Sequence, residues 1–297
     1  MSRTIGVTTA ERIATGLVEG HQLVGKLHVQ EEDPAAEPLL STPPAGIAQT
    51  LANEIRAVAA GASVDAIGIG MPGIIQDCII QDSPNLRQLK GVNMKQLVEE
   101  ALRPFGITAP VLVFNDADAV AAGLAATHGH LDRFIRVWTI GHGIGYGVYP
   151  SRPGIWEGGH VVVSLDPRER YCGCGGVGHL EGIMGHRAMR LRFLDLEPDE
   201  IFENAKNRDQ RCVEFVKLWH RALAAATANS IHLAGPGKFF ISGFNSKHLD
   251  VNLLHQYVHE MVKMSPLQSY VFEVAPQTDE NAVIGAAVSA AQSIQAS

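Results

Sequence analysis

Two cysteines one residue apart, with a histidine on each side, constrain this chain more than any other feature of its sequence. These residues are His160, Cys172, Cys174 and His179, and they share a glycine-rich stretch of twenty residues. Thiolate sulfur and imidazole nitrogen are the ligands of structural zinc sites, and glycine lets the backbone turn tightly around an ion. The pattern predicts a closed zinc site with four ligands. The alternative is a glycine-rich loop whose thiols bind no metal.

The composition of the 297 residues excludes several classes of protein. Hydrophobic residues make up 46% and charged residues 19%, which is typical of a folded globular chain. The net charge of −7 is spread out, so we expect no nucleic-acid partner. The chain has no apolar run long enough to span a membrane and does not begin like a secretory signal, so we expect a cytoplasmic protein with no membrane partner. Cys78 and Cys212 lie in apolar or helical contexts and are expected to be small buried side chains.

Strand-like and helix-like segments alternate along the chain, which favours α/β layers. Strands are predicted at Thr4–Val7, Ile13–Val18, Leu23–Val29, Asp65–Gly70, Val111–Phe114, Phe134–Ile140, Gly143–Val148, Lys238–Ser242 and Tyr270–Val274. Helices are predicted at Gly46–Gly61, Met94–Phe105, Ala117–Thr127, through Gly182–Leu233, and at Lys247–Met264 and Asn281–Gln295. The length fits one large domain or two of ordinary size, and a second unit is expected to begin near Asn115.

The cysteine-rich stretch resembles the signature of the ROK family, which comprises repressors and sugar kinases. Glu157-Gly158-Gly159-His160 is similar to the family element E-x-G-H, and the segment 172–181 is similar to C-G-C-G-x-x-G-C-x-E. The third family cysteine is His179 in this chain. Since imidazole also binds zinc, the resemblance implies a site with two histidines and two cysteines and less negative charge at the metal.

Other segments resemble further motifs of the same family. They are Phe114–Ala119 for the catalytic element E-N-D-A-N-A, Gly70–Gly73 and Pro84–Leu86 for the sugar-side loops, Ile140–Gly147 for the phosphate-binding hairpin, Ile241–Phe244 for the adenosine motif, and Ile284–Ala287 for the last helix. The resemblance therefore extends over most of the chain.

The resemblance implies a two-domain α/β fold of the ribonuclease H-like actin/hexokinase (ASKHA) type with a zinc-binding loop. A small domain is expected to comprise residues 1–115 plus 281–297. A larger domain is expected at 116–280, with the zinc loop at 157–181 and a surface for dimerisation. Family members commonly pair, so a homodimer is expected, and sugar and phosphate are expected to meet in the cleft between the domains.

The resemblance also implies a sugar site for a hexose or amino-hexose. Its residues, by positional match, are Asn85, Asn115, Asp116, Glu157, His160 and Glu181. Carboxylates and amides can each take two of the hydrogen bonds that a polyol offers. Asp116 follows an apolar strand and opens a helix, where its carboxylate can accept the proton of the attacking hydroxyl as general base. The alternative role for Asp116 is a helix N-cap.

The nucleotide side departs from the family pattern at three places. The family turn D-x-G-G-T is replaced at residues 8–12 by Thr-Thr-Ala-Glu-Arg, the hydroxyl residue of the hairpin is His142, and the second glycine of the adenosine motif is Phe244. The nucleotide-binding residues implied by position are Thr8, Thr9, Arg12, Gly141, His142, Gly143 and Gly243. These changes permit either a divergent phosphate site or a donor other than ATP.

Two functions follow from these residues. The first is a sugar kinase of the glucokinase or N-acetylhexosamine kinase type, with Asp116 as base and magnesium-ATP as donor. The second is a sugar-binding protein of kinase ancestry, with a structural zinc ion and weak or no ATP use. A repressor would need a helix-turn-helix ahead of the first strand, and because that strand is expected from about Thr4, we do not expect one.

Overall fold

A computed structural model of the chain describes residues 2–10, 12–30, 39, 41–84, 86–152, 154, 156–275 and 279–295. The chain divides into two compact units. The first unit comprises Met1–Ile135, Gly147–Trp156 and Thr278–Ser297, and the second comprises Arg136–Tyr146 and Glu157–Gln277. Within the described ranges, no helix has both the length and the apolar character needed to cross a membrane.

Strands and helices alternate as the sequence pattern predicts. The strands are β1 Arg3–Thr8, β2 Ala14–Glu19, β3 Gln22–Val29, β4 Ala66–Met71, β5 Ile74–Gln76, β6 Ile79–Asp82, β7 Val92–Asn93, β8 Val111–Asn115, β9 Ile135–Ile140, β10 Ile144–Tyr149, β11 Lys238–Ser242 and β12 Val271–Val274. The helices are α1 Pro44–Ala59, α2 Met94–Leu102, α3 Asp116–Thr127, α4 Leu180–Met184, α5 His186–Arg192, α6 Pro198–Lys206, α7 Gln210–Ala234, α8 Val251–Met261 and α9 Asp279–Gln295.

The first unit is built on a five-stranded sheet in the order β3-β2-β1-β4-β8. The strands β1, β2 and β3 form an antiparallel meander, whereas β4 and β8 continue the sheet in parallel. Helix α1 buries Ile47, Leu51 and Ile55, which recur every four residues and therefore share one face of the helix. This face packs into the core together with the sheet residues Ile67 and Ile69.

The sequence pattern did not predict the small sheet β5-β6-β7. Its strands have only two to four residues each, and the turn between β5 and β6 places Asp77 and Cys78 at positive φ. A period of two cannot be recognised over so few residues. Cys78 is half-buried and accepts a hydrogen bond from Val113 N at 3.4 Å, so it packs beside the first unit's core.

Helix α3 lies in the first unit, which therefore extends to residue 135 and not to the expected boundary at 115. The reason is a backbone contact between α3 and α9. A Cβ atom on Gly123 would lie 1.8 Å from the carbonyl oxygen of Asn281, and one on Gly285 would lie 1.7 Å from that of Ala119. Glycine at both positions lets the two helices pack against each other, and this contact joins α3 to the first unit.

Replacing Gly285 by alanine is expected to destabilise the protein by about 1–3 kcal/mol, because the new methyl group meets backbone that cannot rotate away. Chemical denaturation measures the free energy of unfolding. Ser289→Ala on the same helix is the control and should stay within about 0.5 kcal/mol of the parent. Equal stability of Gly285→Ala and the parent would contradict the close approach of α3 and α9.

The second unit contains a four-stranded sheet in the order β10-β9-β11-β12. Helices cover it, and the segment 182–233, which the sequence predicted as helical throughout, divides into α4, α5, α6 and α7. Breaks fall at Gly185, whose ψ of 143° is extended, just before Pro198, which begins α6, and at residues 207–209 between α6 and α7. The long helix α7 buries Trp219, and its Thr227 hydroxyl accepts a hydrogen bond from Trp138 Nε1 at 3.1 Å.

Candidate active site and metal centre

In the first unit, Asn115 and Asp116 stand where β8 passes into α3. Asn115 is the N-cap of α3, and its Oδ1 accepts hydrogen bonds from Ala117 N at 2.9 Å and Asp118 N at 3.2 Å. Its Nδ2 donates to the carbonyl oxygen of Gly73 at 3.0 Å. The sequence left open that Asp116 is the N-cap of α3. The N-cap is instead Asn115, and Asp116 is the first residue of the helix.

The Asp116 carboxylate is half-buried, and its Oδ1 accepts a hydrogen bond from Ala117 N at 2.9 Å. Burial raises the pKa of Asp116 above its ordinary value, and this effect outweighs the hydrogen bond, which acts to lower it. A carboxylate with a raised pKa binds a proton more readily near neutral pH. Asp116 therefore has the chemistry of a general base or acid.

In the second unit, the four residues predicted to bind metal come together. One ligand atom from each of His160, Cys172, Cys174 and His179 lies within 4.8 Å of all the others. Cys174 Sγ is 3.4 Å from Cys172 Sγ and 3.2 Å from His179 Nδ1. Two sulfurs bound to one zinc ion in tetrahedral geometry would be about 3.8 Å apart. The donor set and its spacing therefore fit one small metal ion.

Glycines close to this cluster leave space for groups that surround it. A Cβ atom on Gly143 would lie 2.4 Å from Glu181 Oε2, and one on Gly178 would lie 1.8 Å from the carbonyl oxygen of Ser164. Glu181 Oε2 accepts a hydrogen bond from Ile144 N at 3.0 Å. Glycine at 143, which the sequence assigned to nucleotide binding, therefore also makes room for the Glu181 carboxylate.

Groups around the cluster shift one another's pKa values. The thiol of Cys172 and then the carboxylate of Glu181 raise the pKa of His160 to about 11. Burial by itself would raise the pKa of Glu181, but the nearby His160 imidazole and the hydrogen bond from the amide of Ile144 together lower it. Metal binding at this imidazole must release its proton.

The predicted sugar-binding residues fall in both units. His160 lies between two carboxylates, with Nδ1 3.9 Å from Glu157 Oε2 and Nε2 3.7 Å from Glu181 Oε1. Asn115 and Asp116 belong to the first unit, whereas these three residues belong to the second. Asn85 lies outside the described residues.

Nucleotide-binding candidates of the first unit bond to other protein groups. Thr8 and Thr9 are each only 3% exposed, and both the amide and the hydroxyl of Thr9 donate to the carbonyl oxygen of Gly70. Arg12 forms an ion pair with Asp279, in which Nη2 lies 2.6 Å from Oδ2. A phosphate at these side chains would have to compete with the contacts that they already make.

Nucleotide-binding candidates of the second unit lie in a cluster of aromatic rings. The ring centroid of His142 is 5.1 Å from that of Phe244 and 5.8 Å from that of His186, and His186 is 5.3 Å from Phe244. Gly243 has a φ of 95°, and its Cβ would meet the carbonyl oxygen of Ile140. No sequence motif includes His186, which is the first residue of α5.

The hairpin glycine Gly141 is fixed by several backbone contacts. Its amide donates to the carbonyl oxygen of Gly143 at 3.0 Å, and its own carbonyl oxygen accepts from His186 N at 3.1 Å. Asn245 Nδ2 is 3.4 Å from the same oxygen. These bonds hold the predicted phosphate hairpin against the start of α5 and the segment that follows β11.

Comparison with known proteins identifies related chains. The sequence pattern of the ROK family matches residues 18–293. A glucokinase from Pyrobaculum calidifontis (strain DSM 21063 / JCM 11548 / VA1) is 30% identical over 205 residues, which cover 64% of this chain and 66% of that protein, just under two thirds of its length.

Solved structures share the fold. A ROK hexokinase from Thermus thermophilus superposes with a TM-score of 0.80 at 21% identity, covering 99% of this chain and 100% of that one. A ROK family glucokinase from Streptomyces griseus, in complex with glucose and AMPPNP, superposes with a TM-score of 0.71 at 24% identity, covering 98% and 100%. Likeness at this identity shows the fold, which is an α/β fold of the actin and hexokinase type.

Proposed function

This chain belongs to the ROK family, and on that premise we propose that it is a sugar kinase that transfers a phosphoryl group from a nucleotide to a hexose hydroxyl. The observation that carries the proposal is the half-buried Asp116 carboxylate, whose pKa burial raises, held at the start of α3 beside its Asn115 cap. The glucokinase relative supports the choice of a hexose as acceptor.

Asp116 acts as the general base in this proposal. As the sugar oxygen forms its bond to phosphorus, its O–H bond breaks and the proton passes to the Asp116 carboxylate. The bond between the phosphoryl group and the nucleotide breaks at the same time, and the nucleoside diphosphate leaves. Phosphoryl transfer depends mainly on positioning and electrostatics, so a fixed carboxylate with a raised pKa suits this role.

In the second unit, Glu157, His160 and Glu181 hold sugar hydroxyls in this proposal. One carboxylate oxygen of each glutamate lies within 4 Å of a ring nitrogen of His160. Such a set offers both donors and acceptors, as a hexose or amino-hexose requires. Asn85 and Asn115 complete the proposed set by position.

The metal of the second unit is zinc in this proposal, and its role is structural. Two thiolates and two imidazoles would complete the four-ligand shell of a structural zinc ion and leave no position for a substrate. The ion would fix the loop that carries His160 and the start of the helix that carries Glu181. Magnesium, if ATP is the donor, would accompany the nucleotide.

We also propose that the protein is a homodimer and that it lies in the cytoplasm. Light scattering tests the oligomeric state.

The rate of phosphoryl transfer is expected to fall as the pH drops below the pKa of Asp116. A base must be deprotonated, so kcat should drop about tenfold per pH unit below the pKa of Asp116. Because burial raises that pKa, the fall should begin at higher pH than for an ordinary aspartate. A pH profile at saturating sugar and nucleotide measures it. A profile that stays flat down to pH 4 would contradict a buried carboxylate base.

A coupled assay tests the proposed reaction directly. Glucose, mannose, N-acetylglucosamine and N-acetylmannosamine are each combined with ATP, GTP or inorganic polyphosphate, and production of sugar phosphate is followed. Turnover with at least one pair, lost in Asp116→Ala, is the expected result. No turnover with any pair would refute the kinase proposal.

One observation favours the second candidate, a sugar-binding protein with weak or no ATP use. The rings of His142 and Phe244 stand at the positions of a small hydroxyl residue and a glycine in the family pattern, and they contact each other. Calorimetric titration with glucose and with ATP separates the candidates. Sugar binding without nucleotide binding supports this one, and tight ATP binding removes its basis.

A further inference from the structure

The metal ligand at position 179 is an imidazole, which is bulkier than the thiol at this position in the family pattern. The His179 ring lies directly against the backbone of Gly176. A Cβ atom at position 176 would lie 2.0 Å from His179 Cε1, 2.4 Å from Nε2 and 2.7 Å from Nδ1. Any residue other than glycine at 176 therefore collides with this ring where it stands.

Gly176 needs no special backbone conformation, unlike its neighbours. Gly175 and Gly178 have φ values of 86° and 71°, in the left-handed region, whereas the φ of Gly176 lies outside that region. The φ of Gly176 therefore does not by itself require glycine. Position 176 is also one of the three unspecified positions of the family motif. The one constraint that these contacts place on residue 176 is the space that the His179 ring occupies.

Two further contacts fix the His179 ring where it meets Gly176. His179 Nδ1 is 3.2 Å from Cys174 Sγ, and the amide of Gly176 donates to the same sulfur at 3.3 Å. A free imidazole could rotate away from an added methyl group at little cost. A ring bound to a metal together with Cys174 could not rotate away, because the ion fixes both side-chain torsion angles of His179.

We propose that Gly176 is the positioning residue that allows a histidine, in place of a cysteine, to serve as the fourth ligand of this metal site. In this view, metal binding by histidine at 179 requires glycine at 176. The inference rests on the proposed zinc site and is independent of phosphoryl transfer.

A double-mutant cycle tests the coupling. Zinc affinity of the full chain is measured by competition with a chromophoric chelator for the parent, Gly176→Ala, His179→Cys and the double variant. Gly176→Ala is expected to weaken zinc binding at least about tenfold in the parent, as loss of ligand orientation does. The same change should leave the affinity of His179→Cys unaltered, because a thiol avoids the methyl group.

Further variants keep the test decisive. Gly173→Ala, in the same loop, is the matched control, since its Cβ would meet only the flexible tip of Arg187. If His179→Cys binds no zinc, His179→Ala serves as the second background, and Gly176→Ala should again have no effect there. An equal loss of affinity in every background would overturn the inference. Failure of the parent to bind zinc would instead refute the zinc site itself.

Thermal unfolding in the presence of a chelator separates the proposed role from a packing defect. Only a packing defect would lower the unfolding temperature of the metal-free protein. Gly176→Ala should match the parent in the presence of a chelator, because the unbound His179 ring can rotate. With zinc added, the parent should unfold at a higher temperature than the variant. A variant that is equally destabilised with and without zinc would show a packing defect and contradict the proposed role.

Discussion

Replacing Asp116 by asparagine is expected to lower kcat about 10²–10⁴-fold, because the amide cannot accept the proton of the attacking hydroxyl. The affinity for sugar should change little, since the asparagine keeps the shape of the carboxylate and one acceptor oxygen. The fold should also persist, because the cap of α3 is Asn115 and not Asp116. Steady-state kinetics and calorimetry with the sugar measure the two effects separately.

Asp118→Asn is the matched control for this experiment. Asp118 lies two residues further along the same helix, and its Oδ1 accepts a hydrogen bond from Val148 N at 2.8 Å, a bond that an asparagine oxygen can also accept. Its kcat should stay close to that of the parent. If both variants keep full activity, the proton is taken by another group and the assignment of Asp116 is wrong.

Replacing Cys174 by serine is expected to weaken zinc binding about 10²–10³-fold. Structural zinc contributes roughly 10–16 kcal/mol through four ligands, so one ligand accounts for about 3–4 kcal/mol. Cys174 is exposed, and its replacement leaves no cavity in the core. The free energy of unfolding in saturating zinc should fall by about the same amount. Metal analysis after dialysis and denaturation with and without chelator measure both quantities.

Cys212→Ala provides the control for the cysteine experiment. Cys212 is fully buried in α7, away from the metal ligands in the sequence, so this variant should keep its zinc. A chelator should therefore destabilise the parent and Cys212→Ala but not Cys174→Ser. Full zinc content in Cys174→Ser would exclude Cys174 as a ligand.

Much of the candidate metal centre could be predicted from the sequence because its residues are close together in the chain. Four ligands within twenty residues, separated by glycines, leave the loop few ways to fold around an ion. The structure brings the four together as predicted. The family resemblance drawn from the same stretch is confirmed by the match over residues 18–293.

The aromatic cluster could not be predicted, because its members are distant in sequence. His142, His186 and Phe244 meet only when a strand end, a helix start and a turn pack together in the second unit. The domain boundary was misplaced for a similar reason. Helix α3 belongs to the first unit through its contact with α9, about 160 residues later, and no local pattern encodes that contact.

The sequence by itself determined the alternation of strands and helices, the ligand set of the metal loop, and the position of Asn115 and Asp116 after an apolar strand. These features depend on neighbours a few residues away, which periodicity and motif spacing record. Only the tertiary structure decided which oxygen caps α3, that burial raises the pKa of Asp116, and that Gly176 makes room for the ring of His179. Each of these depends on distances of a few ångströms between groups in three dimensions, which packing sets and sequence spacing does not record.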